Sequence, residues 1–284
     1  MALPRGPDGA LGGTMASPHG TTAASPTAVA VIPSRFASTR LPGKPLIDLG
    51  GLPMIVRVVR QARRVPGLAQ VVVATDDLRV KEAVERHGGI AVMTREDHRS
   101  GTDRLAEVAL SLACDVIVNI QGDEPLIDPR MIAQALTPFA DPAVEMTTLC
   151  RAANAHDFKN PNVVKAVVGH DGYALFFSRA PIPYDRTGRP DGGAPRLAYK
   201  HIGLYAYRRT TLLRLASLAP TALEETEMLE QLRALEHGIR IRVVQTDLDS
   251  IGVDTDADVA RVRAILAASP ADLAPRSAQT HAQP

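Results

Sequence analysis

The chain has 284 residues, of which 45% are hydrophobic, and its formal net charge is +1 at pH 7. A chain of this length can bury a large core, and its near-neutral charge argues against nucleic acid as a partner, because nucleic-acid-binding domains carry a basic surface. Two cysteines, Cys114 and Cys150, are too few for a disulfide framework, which favours a reducing compartment such as the cytoplasm.

Both ends of the chain are predicted to lie outside the folded domain. Residues 1–26 are rich in Gly, Pro, Ala, Ser and Thr and contain no apolar segment long enough for a signal-peptide core. Residues 269–284 have a similar Ala, Pro, Ser and Gln character. We therefore expect a disordered leader, one domain over residues 27–268 and a flexible tail. No window approaches the roughly 18 to 20 apolar residues of a membrane span, so no membrane partner is expected.

The first half of the domain alternates apolar, strand-like runs with amphipathic helical patterns. The predicted strands are residues 28–32, 70–74, 90–93 and 116–120, and the predicted helices are residues 53–65, 78–87 and 102–113. Strict alternation of strand and helix implies right-handed crossovers and a mostly parallel sheet. The expected fold class is therefore α/β, with a three-layer, Rossmann-like sheet.

The second half of the domain changes character, because several extended runs are joined by short links. The predicted strands are residues 146–150, 163–168, 173–178, 201–207 and 239–244, and the predicted helices are residues 224–237 and 256–268. A hairpin turn is predicted within residues 168–173, so antiparallel strands should join the sheet and make it mixed. Residues 181–195 are dense in Pro, Gly and Asp and should form a long loop.

The segment after the first predicted strand has the composition of a phosphate-binding loop. Residues 33–44 read Pro-Ser-Arg-Phe-Ala-Ser-Thr-Arg-Leu-Pro-Gly-Lys, with Arg35, Arg40 and Lys44 as cations and hydroxyls such as Ser38 as donors. Proline follows the Gly-Lys pair, so this is not a Walker A loop, and no Gly-x-Gly-x-x-Gly motif follows. A solvated basic turn is the alternative. Three cations at the carboxyl end of the first strand favour a polyphosphate ligand instead.

Two carboxylates follow later strands and a glycine, which is a typical position for ligands of a divalent metal ion. Asp123 follows the fourth predicted strand, and Asp254 follows the last one. Together they are candidate ligands for a magnesium ion whose other ligands would be phosphate oxygens and water. The alternative is helix or turn capping, by Asp123 or Glu124 at the first position and by Asp254, Thr255 or Asp256 at the second.

Two further segments have the character of binding elements. Ser100 and Gly101 precede a predicted helix and could present backbone groups to a nucleotide base, although Ser100 with Asp103 also forms a capping-box pattern. Glu227 and Gln231 are one turn apart on the predicted helix 224–237 and could contact hydroxyl groups. A solvated helix face is the alternative reading for that pair.

The order of these motifs resembles that of the 3-deoxy-manno-octulosonate (Kdo) cytidylyltransferase family, over residues 29–263. The motifs that carry the resemblance are residues 35–44, Ser100-Gly101-Thr102, residues 121–125, Phe177-Ser178-Arg179, Lys200-His201-Ile202-Gly203, residues 227–233 and Gly252-Val253-Asp254-Thr255. The family usually has alanine where this chain has Ser34. The resemblance implies a nucleotide-diphospho-sugar transferase fold, a homodimer built on an antiparallel arm, and transfer of CMP from CTP to Kdo for lipopolysaccharide biosynthesis.

The resemblance also implies roles for individual residues. The implied nucleotide-binding residues are Arg35, Ser38, Arg40, Lys44, Ser100, Gly101 and Asp123, with Lys44, Arg35, Asp123 and Asp254 as the catalytic group and Asp123 and Asp254 holding Mg²⁺. The implied sugar-binding residues are Gln121, Arg179, His201, Tyr205, Glu227 and Gln231. For His201, whose strand is otherwise apolar, a satisfied core histidine is the alternative. For the activity, the alternatives are another acidic sugar such as sialic acid, or a non-catalytic nucleotide-binding module.

Overall fold

The computed structural model describes residues 26–37, 41–98, 100–186, 188 and 193–268. The predicted tail and nearly all of the predicted leader lie outside the described residues, as do Ser38 and Arg40. The described strands are β1 (Ala28–Ser34), β2 (Leu68–Thr75), β3 (Ile90–Met93), β4 (Val116–Asn119), β5 (Met146–Ala152), β6 (Lys165–Val168), β7 (Ala174–Ser178), β8 (Tyr199–Arg208) and β9 (Ile241–Gln245). The described helices are α1 (Met54–Ala62), α2 (Leu78–Arg86), α3 (Gly101–Ala109), α4 (Pro129–Leu136), α5 (Ala155–Lys159), α6 (Arg209–Ser217), α7 (Ala222–Glu227), α8 (Gln231–Glu236) and α9 (Asp256–Ala268).

The described strands form one open, mixed sheet in the order β3-β2-β1-β4-β8-β5-β9, with the β6-β7 hairpin attached beside β8. The pairs β1-β2, β1-β4 and β2-β3 are parallel, as the alternation of the first half predicts. Strand β8 runs antiparallel between β4 and β5, which confirms the mixed sheet expected from the second half. The α/β fold class predicted from the sequence is therefore confirmed.

Helices cover both faces of the sheet, because the buried strands are apolar on both sides. Helices α1, α2 and α4 pack on one face through residues such as Ile55, Val84 and Ile132. Helices α3 and α6 pack on the other face through residues such as Leu105 and Leu212. This arrangement is the three-layer architecture, and it leaves the carboxyl ends of β1 and β4 open at one edge.

A smaller apolar cluster fixes the position of helix α9. Val259, Val262 and Leu266 of α9 pack with Leu41 and Leu49, two residues that follow β1. This contact places α9 beside the loop that carries Lys44. The segment that leads into α9, residues 251–255, therefore also runs beside that loop.

The structure contains several elements that the sequence prediction lacked. Helices α4, α5 and α6 lie where no helix was expected. The predicted helix 224–237 is wrong, because it is two short helices, α7 and α8, separated by Met228 in the left-handed region with φ of 54°. Met228 is apolar, yet its side chain is 76% exposed at this break. Within the described residues, no helix combines the length and the apolar character needed to cross a bilayer.

Candidate active site

The turn that carries Lys44 has a defined backbone geometry. Gly43 adopts φ of +67°, a left-handed conformation that glycine reaches without strain, and a short 3-10 turn, Lys44–Leu46, follows it. Leu46 donates its backbone N–H to the carbonyl of Gly43 at 2.9 Å. The Pro42-Gly43 turn therefore fixes the position from which the Lys44 side chain extends.

Lys44 meets both carboxylates singled out in the sequence. Its Nζ donates to Oδ2 of Asp123 at 2.6 Å and to Oδ1 of Asp254 at 3.0 Å. The Lys44 side chain is 14% exposed, whereas those of Asp123 and Asp254 are 35% and 48% exposed. The backbone N–H of Val253 also donates to the Asp123 carbonyl at 2.9 Å, which joins the two loops directly. Residues separated by most of the chain thus converge at one point.

The carboxylates fit the donor set of a magnesium ion better than a capping role. Helix α4 is capped by Asp128, whose side chain accepts from the N–H of Arg130, and not by Asp123 or Glu124. At α9 the hydroxyl of Thr255 accepts from the N–H of Asp258 at 3.3 Å. Thr255 is thus the capping residue, as one of the capping alternatives in the sequence analysis had it. No cluster of three or more His, Cys, Asp or Glu side chains suited to a metal occurs among the described residues. Two carboxylates are the usual protein contribution to Mg²⁺ that binds substrate phosphates.

A cleft of about 430 Å³ opens between the carboxyl ends of β1 and β4. The residues that line it are Pro33, Ser34, Arg35, Ala37, Lys44, Pro45, Met54, Gly101, Arg104, Gln121, Gly122 and Asp123. At its base Gly122 permits close packing, because a Cβ there would lie 2.8 Å from the carbonyl oxygen of Pro33. Arg35 is exposed at the rim and donates to the carbonyl of His98 at 2.5 Å. Arg35, Lys44, Gln121, Gly101 and Asp123 therefore line one cleft.

The turn before α3 reaches the cleft as a capped helix start. The Ser100 hydroxyl accepts from the N–H of Asp103 at 3.1 Å, and the Asp103 carboxylate accepts from the N–H of Ser100 at 3.2 Å. The capping-box reading is thus confirmed. It does not displace the binding reading, because Gly101 lines the cleft while its neighbours form the cap.

Two charged groups near the cleft escaped the sequence analysis. Arg104 lines the cleft, is fully buried, and donates to Asp76 at 2.6 Å and to the Thr94 hydroxyl. A charged residue on the apolar face of the predicted helix 102–113 was the available signal. Burial is the main cause that raises the pKa of Glu124 to about 7, and the nearby Asp123 carboxylate is the second cause. The Glu124 carboxyl therefore titrates near neutrality beside the two-carboxylate site.

Gln121 connects the cleft to the strand that carries two of the predicted sugar-binding residues. Its amide Nε2 donates to the carbonyl of Gly203 in β8 at 3.3 Å. On the same strand His201 and Tyr205 have ring centroids 5.4 Å apart, and Phe177 lies 4.9 Å from His201 in an edge-on arrangement. Gln121, which lines the cleft, therefore bonds β8 at Gly203, between His201 and Tyr205 in sequence.

The His201 ring is held by protein contacts. Its Nε2 hydrogen-bonds the hydroxyl of Thr148 at 2.9 Å. Burial lowers the pKa of His201 to about 3, so the imidazole is neutral at physiological pH. A neutral ring can still exchange hydrogen bonds with a substrate, but it supplies no charge. The environment has the features of the satisfied core histidine weighed above.

Arg179 and Glu227 are hydrogen-bonded to each other. The Glu227 carboxylate accepts from the Ser178 hydroxyl at 2.5 Å and from the N–H of Arg179 at 2.9 Å, and Nε of Arg179 donates to the Glu227 carbonyl at 2.8 Å. Gln231 is buried, at 6% exposure, in the next helix. Because Met228 breaks the helix, the argument that Glu227 and Gln231 share a helix face is wrong.

Comparison with known proteins agrees with this arrangement. A family profile described as cytidylyltransferase matches residues 29–241. The 3-deoxy-manno-octulosonate cytidylyltransferase of Pelobacter propionicus is 53% identical over 242 residues, which cover 82% of this chain and 95% of the relative. That of Geobacter sulfurreducens is 53% identical over 241 residues, or 82% of this chain and 96% of the relative.

Two solved structures are similar to this chain in fold. A CMP:2-keto-3-deoxy-manno-octonic acid synthetase complexed with CTP superposes with a TM-score of 0.81 at 47% identity, covering 86% of this chain and 99% of that one. A glucose-1-phosphate thymidylyltransferase from Bacillus anthracis, at 16% identity and a TM-score of 0.60, covers 84% of this chain and 95% of its own, and shares the fold alone. The chain belongs to the 3-deoxy-manno-octulosonate cytidylyltransferase family.

Proposed function

We propose that this protein transfers CMP from CTP to the anomeric hydroxyl of Kdo and releases pyrophosphate. The observation that carries the proposal is the convergence of Lys44, Asp123 and Asp254 at the cleft between β1 and β4. It is supported by relatives named for this reaction and by the likeness to a synthetase complexed with CTP. The expected product, CMP-Kdo, would serve lipopolysaccharide biosynthesis in the cytoplasm.

In this reaction the anomeric oxygen of Kdo forms a bond to the α-phosphorus of CTP. The bond from that phosphorus to the bridging oxygen of the β-phosphate breaks, the hydroxyl loses its proton, and pyrophosphate leaves. The task of the protein is to position the reactants and to stabilise negative charge on the phosphate oxygens. Lys44 supplies a fixed cation at the cleft, and Arg35 supplies a second at its rim. Arg40 and Ser38 extend the same loop in sequence.

Asp123 and Asp254 would hold the magnesium ion. When bound, Mg²⁺ neutralises phosphate charge and lowers the pKa of a coordinated hydroxyl. The two carboxylates face one shared cation, the ammonium of Lys44, which occupies the position between them. Lys44 can turn from the carboxylates to the triphosphate when Mg²⁺ is supplied, because its side chain is a flexible point charge.

On the acceptor side, Gln121 lies where the cleft meets β8. Arg179 offers the cation that suits the Kdo carboxylate, and Glu227 orients it through the bonds described above. His201, Tyr205 and Gln231 complete the proposed sugar-binding group as neutral side chains. The Ser100-Gly101 turn is proposed to lie near cytosine.

The direct test is pyrophosphate release by the purified full chain. We expect release only when CTP, Kdo and Mg²⁺ are all present, with CMP-Kdo detected by mass spectrometry. CTP binding without turnover under saturating conditions would favour the non-catalytic module. Faster turnover with sialic acid than with Kdo would instead assign the protein to another acidic sugar.

We also propose a homodimer in which the antiparallel part of the molecule forms the interface. Four large apolar side chains in the second half of the chain are strongly exposed, namely Tyr184 at 87%, Met228 at 76%, and Leu175 and Leu197 at 64% each, whereas Leu110 at 68% and Leu78 at 58% are the most exposed in the first half of the described residues. The larger number in the second half supports an interface there. Sedimentation equilibrium should give twice the chain mass, and a monomer at micromolar concentration would contradict the proposal.

A further inference from the structure

Lys165 is a fully buried lysine that the proposed reaction does not use. It is the first residue of β6, it is 0% exposed, and it lies opposite Ser178 of β7 in the antiparallel register. Lysine is among the residues least often buried completely, because removing its ammonium from water is costly unless every donor is satisfied. A residue of this kind needs a specific reason for its position.

The ammonium of Lys165 is fully satisfied by backbone carbonyls. Its Nζ donates to the carbonyls of Asn160 at 2.8 Å, Val163 at 2.5 Å and Arg179 at 2.6 Å. An ammonium has three donors, so each of them has a partner. Two acceptors lie in the segment before β6, and the third lies directly after β7. The side chain therefore fixes the open end of the hairpin at the residue Arg179.

Arg179 is bound from a second side by Glu227. The Glu227 carboxylate accepts from the N–H of Arg179 and from the Ser178 hydroxyl, and the Arg179 guanidinium donates to the carbonyls of Glu227 and Pro161. Burial lowers the pKa of Lys165, whereas the nearby Glu227 carboxylate raises it. Arg179 is thus held between a buried cation at its carbonyl and a carboxylate at its N–H.

We propose that Lys165 is a positioning residue for the acceptor sugar acid, which acts by fixing the backbone of Arg179 between β7 and the break that follows α7. The proposal rests on the proposed function, because it assigns the Arg179 guanidinium to the carboxylate of the acceptor. It adds a residue that contacts neither substrate. Its effect should therefore fall on the acceptor and spare the nucleotide.

The test replaces Lys165 by methionine, which has a similar length and no charge, and measures steady-state kinetics with each substrate varied in turn. We expect the KM for Kdo of Lys165→Met to rise about tenfold or more, because small displacements of a positioning group have large kinetic effects. The KM for CTP should stay within about twofold of wild type. The matched control is Lys159→Met, an exposed lysine at the end of α5, which should leave both constants unchanged.

Three outcomes of this experiment overturn the inference. Unchanged KM for Kdo in a folded Lys165→Met variant would do so while leaving the proposed function intact. Equal rises in the KM values for both substrates would show a general structural role. Absence of turnover in the wild-type protein would overturn the proposed function and this inference together.

A second variant covers the case in which Lys165→Met does not fold. Ser178→Ala removes the hydroxyl that donates to Glu227 and leaves the buried ammonium in place. We expect the KM for Kdo to rise about threefold or more with the KM for CTP unchanged. Ser217→Ala, at an exposed position in α6, is its control. An unchanged KM for Kdo in folded Ser178→Ala would contradict the positioning network.

Discussion

The proposed nucleotide half of the molecule, around the cleft, and the proposed acceptor half, around the β6-β7 hairpin, use charged groups differently. Around the cleft, Lys44 binds both Asp123 and Asp254, and the two carboxylates remain partly open to solvent. Around the hairpin β6-β7, Lys165 is closed off from solvent, and Arg179 and Glu227 are bound to each other and to the backbone. The first group can exchange its partners for those of a ligand. The second group is pre-organised, which lowers the entropic cost of holding a substrate.

The largest expected effect tests whether internal bonds hold the acceptor half together. Glu224 and Arg233 are both buried and form a two-pronged ion pair, at 2.7 and 2.5 Å, across the break between α7 and α8. Glu224→Gln should lower the free energy of unfolding by about 3 to 5 kcal/mol, because it leaves the Arg233 charge buried without its partner. Urea unfolding measures this change. Glu225→Gln, on the exposed side of α7, should have little effect, and similar losses from the two variants would contradict the comparison.

The next effect tests the cleft and should appear in activity rather than stability. Asp123→Asn should reduce kcat by an amount equivalent to about 3 to 4 kcal/mol, as when an electrostatic contact to a developing charge is lost. The fold should be retained, because the carboxylate lies at the mouth of a strand and is 35% exposed. Pyrophosphate release and thermal unfolding measure the two quantities. Asp97→Asn, on the exposed turn before α3, is the control, and loss of folding in Asp123→Asn would indicate a structural role instead.

A smaller effect tests the packing at the base of the cleft. Gly122→Ala would place a Cβ 2.8 Å from the Pro33 carbonyl, so β1 and the loop after β4 must separate. We expect a loss of about 1 to 3 kcal/mol in unfolding free energy, as for other overpacked sites, together with a raised KM for CTP. In Gly203→Ala the new Cβ meets open space, so its stability should match wild type. Equal stability of both variants would contradict the close approach of Gly122 to the Pro33 carbonyl.

The smallest expected effect, taken per unit of pH, is a change in the free energy of unfolding caused by His201 in the acceptor half. The folded pKa of His201 is about 3, well below its usual value, so the unfolded chain binds the proton first as the pH falls below about 6.5. Stability should then decrease by up to about 1.4 kcal/mol for each pH unit below that point. Glu124, whose pKa is raised, acts in the opposite direction, so the difference between wild type and His201→Gln isolates the imidazole. Parallel stability curves from pH 4.5 to 7.5 would contradict the buried neutral ring.

The same division separates what the sequence could predict from what it could not. In the nucleotide half the signals are local: apolar runs end in loops with charged residues, and parallel strands bring those ends together. The meeting of Lys44 with Asp123 follows from that rule. Asp254 also contacts Lys44, but its approach depends on the packing of α9 against Leu41 and Leu49, which no local pattern contains.

In the acceptor half the decisive contacts are tertiary. The apolar periodicity over residues 224–237 continues through Met228, and the left-handed conformation there is adopted by a methionine rather than by a glycine that would have marked the break. Helix α4 did carry a signal, because Asp128 caps it and proline occupies its first turn. The satisfied donors of Lys165 come from three separate segments, and a lysine in an apolar strand run gives no indication of which carbonyls it will meet.

The position of Lys44 between two acidic groups also determines how the protein behaves in a chelating buffer. The Lys44 ammonium already lies between Asp123 and Asp254, so part of their mutual repulsion is offset before any substrate arrives. Treatment with EDTA should therefore arrest turnover without lowering the melting temperature, and adding back the ion should restore the rate at once. In the proposed mechanism Lys44 would thus occupy the position between the carboxylates whenever Mg²⁺ is removed.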